Sequence, residues 1–273
     1  FGQITMDNAS NNDTFMLELE IELDKRGLPF NHAGNRLSLS PSMDRHIYAN
    51  ALSNDPVGQC RDIVNSCRHS GQRRRRLQAV IEEGNNNGYW KGKLPDNKDK
   101  LPVLRLLRDC STRWSSTFKM IDRVLTLHPA IQSFLQEIQN ADIAHLSMDS
   151  KDIDVFRDIH QIIEVPHAAQ ELLASERTPT LSMALPAYEL LLTKWIELKE
   201  TIFELAHYIE IGLNKLTTYI HQGRKTRIYA LAMIINPSLK FEWMKVHWDE
   251  NNVRKAQEWT LEAVRQNFVV FFQ

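Results

Sequence analysis

The spacing of apolar residues changes once along this chain, near Pro41. Before it the pattern is mixed. Phe1–Met6 predicts a short buried strand ending at Asp7, and Asn8–Asn12 supplies turn and capping residues. Phe15, Leu17, Leu19 and Leu23 fit a helix of about four turns, closed by Gly27-Leu-Pro. Asn35–Ser40 alternates polar and apolar positions and predicts a second strand. Beyond Pro41 every periodic stretch is helical. Asp55-Pro56 is a cap followed by proline at the first helical position, ahead of the stripe Val57, Cys60, Val64, Cys67. Gly71 predicts a stop, and a second helix carries Leu77, Val80 and Ile81 to Gly84. Residues 85–100 read as a polar loop around Tyr89 and Trp90. A helix over 114–127 aligns Trp114, Phe118, Ile121 and Leu125. Further helices are predicted near 152–175, 182–207, 208–222, 226–235 and 251–272. The expected fold is therefore mainly α: a strand-helix-strand piece over 1–40, followed by an all-α body over 41–273.

Composition narrows the function without choosing one. The 273 residues are 42% hydrophobic and carry a net charge of −1, so no global field draws nucleic acid to the chain. Cys60, Cys67 and Cys110 show no CxxC spacing, which argues for a reducing compartment and against zinc. No apolar run approaches the ~20 residues that span a bilayer. Locally the charge is uneven: residues 1–34 hold six acids against two bases, and residues 61–76 hold six arginines against Asp62. The dense run Arg73 to Arg76 opposes the dipole at the start of its helix. Arg73 and Arg76 share a face while Arg74 and Arg75 diverge. Phosphate contact, a localisation signal and simple solubility are the alternatives. Tyr89, Trp90, Lys91 and Lys93 mix stacking and cationic groups in the polar loop, or Tyr-Trp anchors that loop on the body. No HExxH or G-x-S-x-G spacing is present, and Pro166 separates His160 from His167, so zinc and hydrolase chemistry are set aside.

One stretch carries a family likeness. LRLLRDCSTRWSSTFKMIDRVLTLHPAI, residues 104–131, resembles the Arg-Trp segment of hAT-type DNA transposases of the fungal type. ITMDNASNND near the start and RIYALAMIINPSLKFEWMKVHW near the end resemble the same family, in the same order. The resemblance implies a ribonuclease-H-like core interrupted by a helical insertion domain. Residues 1–40 would be the end of the first core segment and 41–273 most of the insertion. Both ends are expected to be cut.

The resemblance also assigns chemistry. Asp7 matches the second of three catalytic acids that hold Mg2+ or Mn2+; read from the residues alone it is an N-cap. The first Asp and the Glu fall outside the chain, and Glu164, Glu171 and Glu176 are surface charges rather than substitutes. A lone carboxylate does not hold two metals, so the fragment is expected not to cut DNA. Leu39 and Ser42 stand where the family carries Cys and His. By the same likeness Trp114 stacks on a base at the transposon end and Arg113 holds a phosphate. By periodicity Trp114 heads a core stripe. Arg73, Arg76 and Lys91 complete the candidate DNA-binding set. The parent would act in the nucleus on transposon ends as a homo-oligomer, although the usual dimerisation segment is absent here. The rival expectation is an inert or domesticated helical remnant that binds protein and has no affinity for DNA.

Overall fold

The computed structural model describes residues 4–6, 36–38, 45–94, 98–110, 114–174 and 181–271. Asp7, the predicted helix over 15–23, Leu39, Ser42 and Arg113 lie outside the described residues. The chain divides into two compact units, residues 1–54 and 55–273.

In the first unit β1 (Ile4–Met6) pairs in parallel with β2 (Arg36–Ser38), in the register Ile4 to Arg36 and Met6 to Ser38. Three residues on each side form a ladder too short to define a sheet fold. Helix α1 (Arg45–Ser53) completes the unit and buries Tyr48 and Ala51.

The second unit is helical throughout. Helix α2 (Pro56–Arg68) starts as the sequence requires: Asp55 Oδ1 accepts the Gly58 N–H at 3.0 Å and Pro56 takes the first position. Its buried face is the predicted Cys60, Val64, Cys67 stripe with Ile63. Burial pushes both thiols up to about 12, so these cysteines serve as packing groups. Gly71 is no stop. The break falls at His69 and Ser70, and Gly71 opens α3 (Gly71–Asn86), whose cap is Ser70 Oγ accepting the Arg73 N–H at 3.1 Å. Nor does Gly84 end that helix. It makes room for Trp90: a Cβ there would stand 2.3 Å from Trp90 Cε2. Trp90 is 1% exposed and its indole N–H reaches the Ile81 carbonyl at 3.3 Å, so it anchors the 85–94 segment on the body.

Helices α4 (Trp114–Leu135) and α5 (Ser150–Leu173) follow, joined by a 3-10 segment (Ile138–Leu146). A reciprocal Asp149/Asp152 capping box opens α5. Then come α6 (Leu181–Thr201), α7 (Ala206–Arg224), α8 (Arg227–Ile235), α9 (Lys240–His247) and α10 (Glu250–Phe271). Prolines 129, 166 and 186 lie inside helices rather than ending them. Among the described residues the buried apolar side chains form a large cluster, a smaller one, and a third of Leu191, Leu216 and Ile220 between α6 and α7. The larger joins α2 to α5 around Ile63, Ile81, Ile121 and Phe134. The smaller gathers Leu185, Met233, Met244 and Trp248 from α6 and α8 to α10. Among the described residues no helix is long and apolar enough to cross a membrane.

Candidate nucleic-acid interface

An extended strap over residues 101–109 runs along the larger core and is pinned at each end. Asn85 reads both backbone groups of Leu101, each at 2.8 Å. Leu101 and Leu106 are buried. The Leu106 carbonyl accepts from the Arg68 guanidinium, and the Arg105 carbonyl accepts from Arg123 Nη1 at 2.6 Å. Asp109 takes Arg61 Nε at 2.8 Å and the Thr117 hydroxyl at 3.2 Å. Ser116 Oγ accepts the Cys110 N–H at 2.8 Å, which sets the strap against the head of α4.

Pinning the backbone leaves the side chains of Arg105 and Arg108 exposed. They share their surroundings with Arg68 and Arg74. Partial burial first, then the charges of Arg108, Arg74 and Arg105, hold the Arg68 guanidinium below its ordinary value. Like charges this close repel, and among the described residues no carboxylate pairs with any of the four. The arrangement suits a polyanion.

The predicted arginines behave differently. Arg73 Nη2 contacts both carboxylate oxygens of Asp142, at 2.7 and 2.6 Å. Arg76 bonds Glu137 through Nε at 2.9 Å and through Nη2 at 2.5 Å, and Glu83 through Nη1 at 2.8 Å. The hydrogen bonds that Arg76 donates to Glu137 and Glu83 raise its guanidinium further above the ordinary value. Both cations are therefore matched inside the fold and tie α3 to the 3-10 segment. Arg74 and Arg75 are exposed, as is Lys91. Lys93 Nζ sits 3.2 Å above the Tyr89 ring. Trp114 is the first residue of α4. Arg113 and Asp7 lie outside the described residues, so the six predicted residues are not brought together as a set. Arg68, Arg105 and Arg108 were missed because nothing in their spacing marks them: they converge only through the strap.

Pro166 does not separate His160 from His167. Phe118 stacks on both rings, with centroids 4.8 and 4.3 Å away. Ser115 Oγ lies 2.8 Å from His167 Nδ1 and Asp122 lies 3.2 Å from His160. This packs α4 on α5. Among the described residues no three His, Cys, Asp or Glu side chains are placed to hold a metal ion.

Residues 49–162 match the family model of the ZBED1 RNase-like helical domain. No match is found among curated proteins or among solved structures. The matched region runs from within α1 to within α5 with the strap inside it, and it is similar to a hAT-like, transposase-derived helical domain.

Proposed function

We propose that this chain is a nucleic-acid-binding fragment of a hAT-type transposase of the fungal type, without cleavage activity of its own. One observation carries the reading: Arg74, Arg105 and Arg108 surround Arg68 inside the matched region, and among the described residues no carboxylate pairs with any of the four. The strap that presents two of them leads into Arg113 and Trp114, which hold and stack on the DNA flank. In the complete parent, a nuclear oligomer acting on transposon ends, Asp7 would join other carboxylates around Mg2+ or Mn2+.

Binding to a branched or hairpin DNA, read by fluorescence anisotropy at about 50 and 200 mM salt, tests the reading. Affinity should fall with salt, and Arg105→Ala with Arg108→Ala should reduce the slope of log K against log salt by about 2. Trp114→Ala with Arg113→Ala should remove the preference for the branched form. A second reading is a helical protein-interaction remnant. It is favoured by the internal neutralisation of Arg61, Arg73 and Arg76. Binding that is absent, or indifferent to all four substitutions, would select it.

A further inference from the structure

A cavity of about 820 Å3 opens between α4, α5, α6 and α7. That volume falls within the range of about 300–1,000 Å3 typical of ligand sites. Its floor is aliphatic, with Leu191 and Leu216 buried and Leu173 half-buried. Three aromatic side chains line it, Tyr188, Trp195 and Tyr219. The polar contribution comes from Ser115, Ser116 and Gln170 and from the cations Lys119 and Lys215. No carboxylate is among the lining residues.

The Trp195 wall is built by two residues that weaken their own helices. Pro166 has no N–H, so the Ile162 carbonyl one turn earlier lacks its helical donor. The Trp195 indole N–H replaces it, at 2.9 Å. On the other side, Gly212 clears the space: a Cβ there would stand 2.5 Å from Trp195 Cζ3. With its N–H spent on the fold, the indole offers the cavity only ring carbons.

The cations are lightly committed. Lys119 Nζ meets Glu171 at 3.4 Å with both side chains more than half exposed, a contact worth little. Lys215 Nζ lies 5.3 Å from the Tyr219 ring centroid and has no ion-pair partner among the described residues. Flat aromatic walls beside two cations complement a planar ring that carries an anion. Tyr188 and Trp195 also pack on Leu191, Leu216 and Ile220, but an aliphatic anion would use the leucines and none of the ring faces turned to the cavity. Ser115 and Ser116 follow Trp114 directly, so the cavity begins at the head of α4.

We infer that the cavity receives one unstacked nucleotide of a DNA strand, its base against Tyr188, Trp195 and Tyr219 and its phosphate between Lys119 and Lys215. The inference rests on the nucleic-acid reading above and gives it a strand preference. The test uses the whole chain and two labelled DNAs, a single strand of about 12 nucleotides and the matching duplex, within the ~4–16 nucleotide range of single-strand sites. Tyr219→Ala and Lys215→Ala change side chains at the exposed rim, and circular dichroism checks that helicity is kept. Tyr219→Ala should weaken single-strand binding by about 5- to 100-fold, the span of one stacked base, and leave duplex binding unchanged. Lys215→Ala should weaken it less and flatten its salt dependence. Single-strand affinity unmoved by both variants, or falling in step with duplex affinity, would overturn the inference. Duplex binding without any preference for the single strand would also overturn it, while leaving the nucleic-acid reading intact. If neither DNA binds, both fall.

Discussion

Glu189 is the charged side chain that α6 commits to the interior, with 8% of it exposed. Its Oε1 accepts from Arg224 Nε at 3.0 Å and from the Trp248 indole at 3.1 Å, while Oε2 finds no donor among the described residues. Desolvation dominates and pushes the carboxyl above its ordinary value, against the pull of Arg224 and Trp248. A carboxyl raised on folding binds its proton more tightly in the native state. Stability from this group is therefore fullest below the ordinary carboxylate range and declines as pH rises through the raised value. Urea midpoints measured from the ordinary carboxylate range upward should show this decline, and Glu189→Gln should remove it. Arg224→Met should cost more than Glu189→Gln above the raised value, up to about 3 kcal/mol, because it leaves a buried carboxylate without its cation. Equal costs would mean that water already solvates the pair.

At the scale of elements, the arginine run shows what a sequence can and cannot tell. That Arg73 and Arg76 share one face of α3 follows from helical spacing alone. That this face meets Asp142 and Glu137 does not, because those acids lie in and just before a 3-10 segment, 69 and 61 positions further on. Partial burial pushes the Glu137 carboxyl up, and the hydrogen bonds from Arg76 and Gln139 more than reverse it, so it ends below its usual value. Asp142 is lowered chiefly by its hydrogen bond from Arg73. Lowered carboxylates stabilise above their ordinary value and lose that contribution as pH falls through the folded one. Glu137→Gln should thus lower the thermal midpoint at pH 7 and flatten the acid limb of the stability profile, with a smaller effect from the exposed Asp142→Asn. A midpoint unchanged by Glu137→Gln would mean the tie does not hold α3 in place. Both helices over 114–135 and 150–173 were legible in apolar spacing; the second was expected over 152–175, close to its observed span, whereas the first was expected to stop at 127, short of Pro129. Tertiary contacts absorb the defect of a proline inside a helix: the carbonyl that Pro166 orphans is taken by Trp195. Glycine misleads likewise. Gly84 and Gly212 each sit under a tryptophan, a contact that no local pattern encodes.

Across the helical unit the apolar cluster of α2 to α5 and that of α6 and α8 to α10 are unequal, and this sets how the molecule should come apart. The larger is continuous from Cys60 to Phe156 and encloses Trp90. The smaller, around Met233 and Met244, is built from shorter helices whose outward faces leave Ile235 and Val246 about four-fifths exposed. The two draw on different elements and are bridged by the third cluster, in which Val165 and Ala169 of α5 and Trp195 of α6 pack on Leu191, Leu216 and Ile220. Unfolding by urea should therefore depart from two-state behaviour, with the smaller core opening first because it buries less apolar surface. Two fluorescence readouts separate the events: Trp90 reports the larger core and Trp248 the smaller, each isolated by replacing the other tryptophans with Phe. Met233→Ala should move the Trp248 transition to lower urea by the equivalent of about 2–4 kcal/mol and leave the Trp90 transition near its wild-type midpoint. Ile121→Ala should shift the Trp90 transition. On the proposed reading, in which the α2, α3 and strap face holds DNA, only the larger core is needed for that grip, and Met233→Ala should preserve the arginine-dependent duplex binding. It should weaken the single-strand preference, because α6 and α7, which wall the cavity, pack on the smaller core through Leu185. Coincident transitions for both tryptophans in every variant would show instead that the α5–α6 packing welds the two cores into one cooperative body.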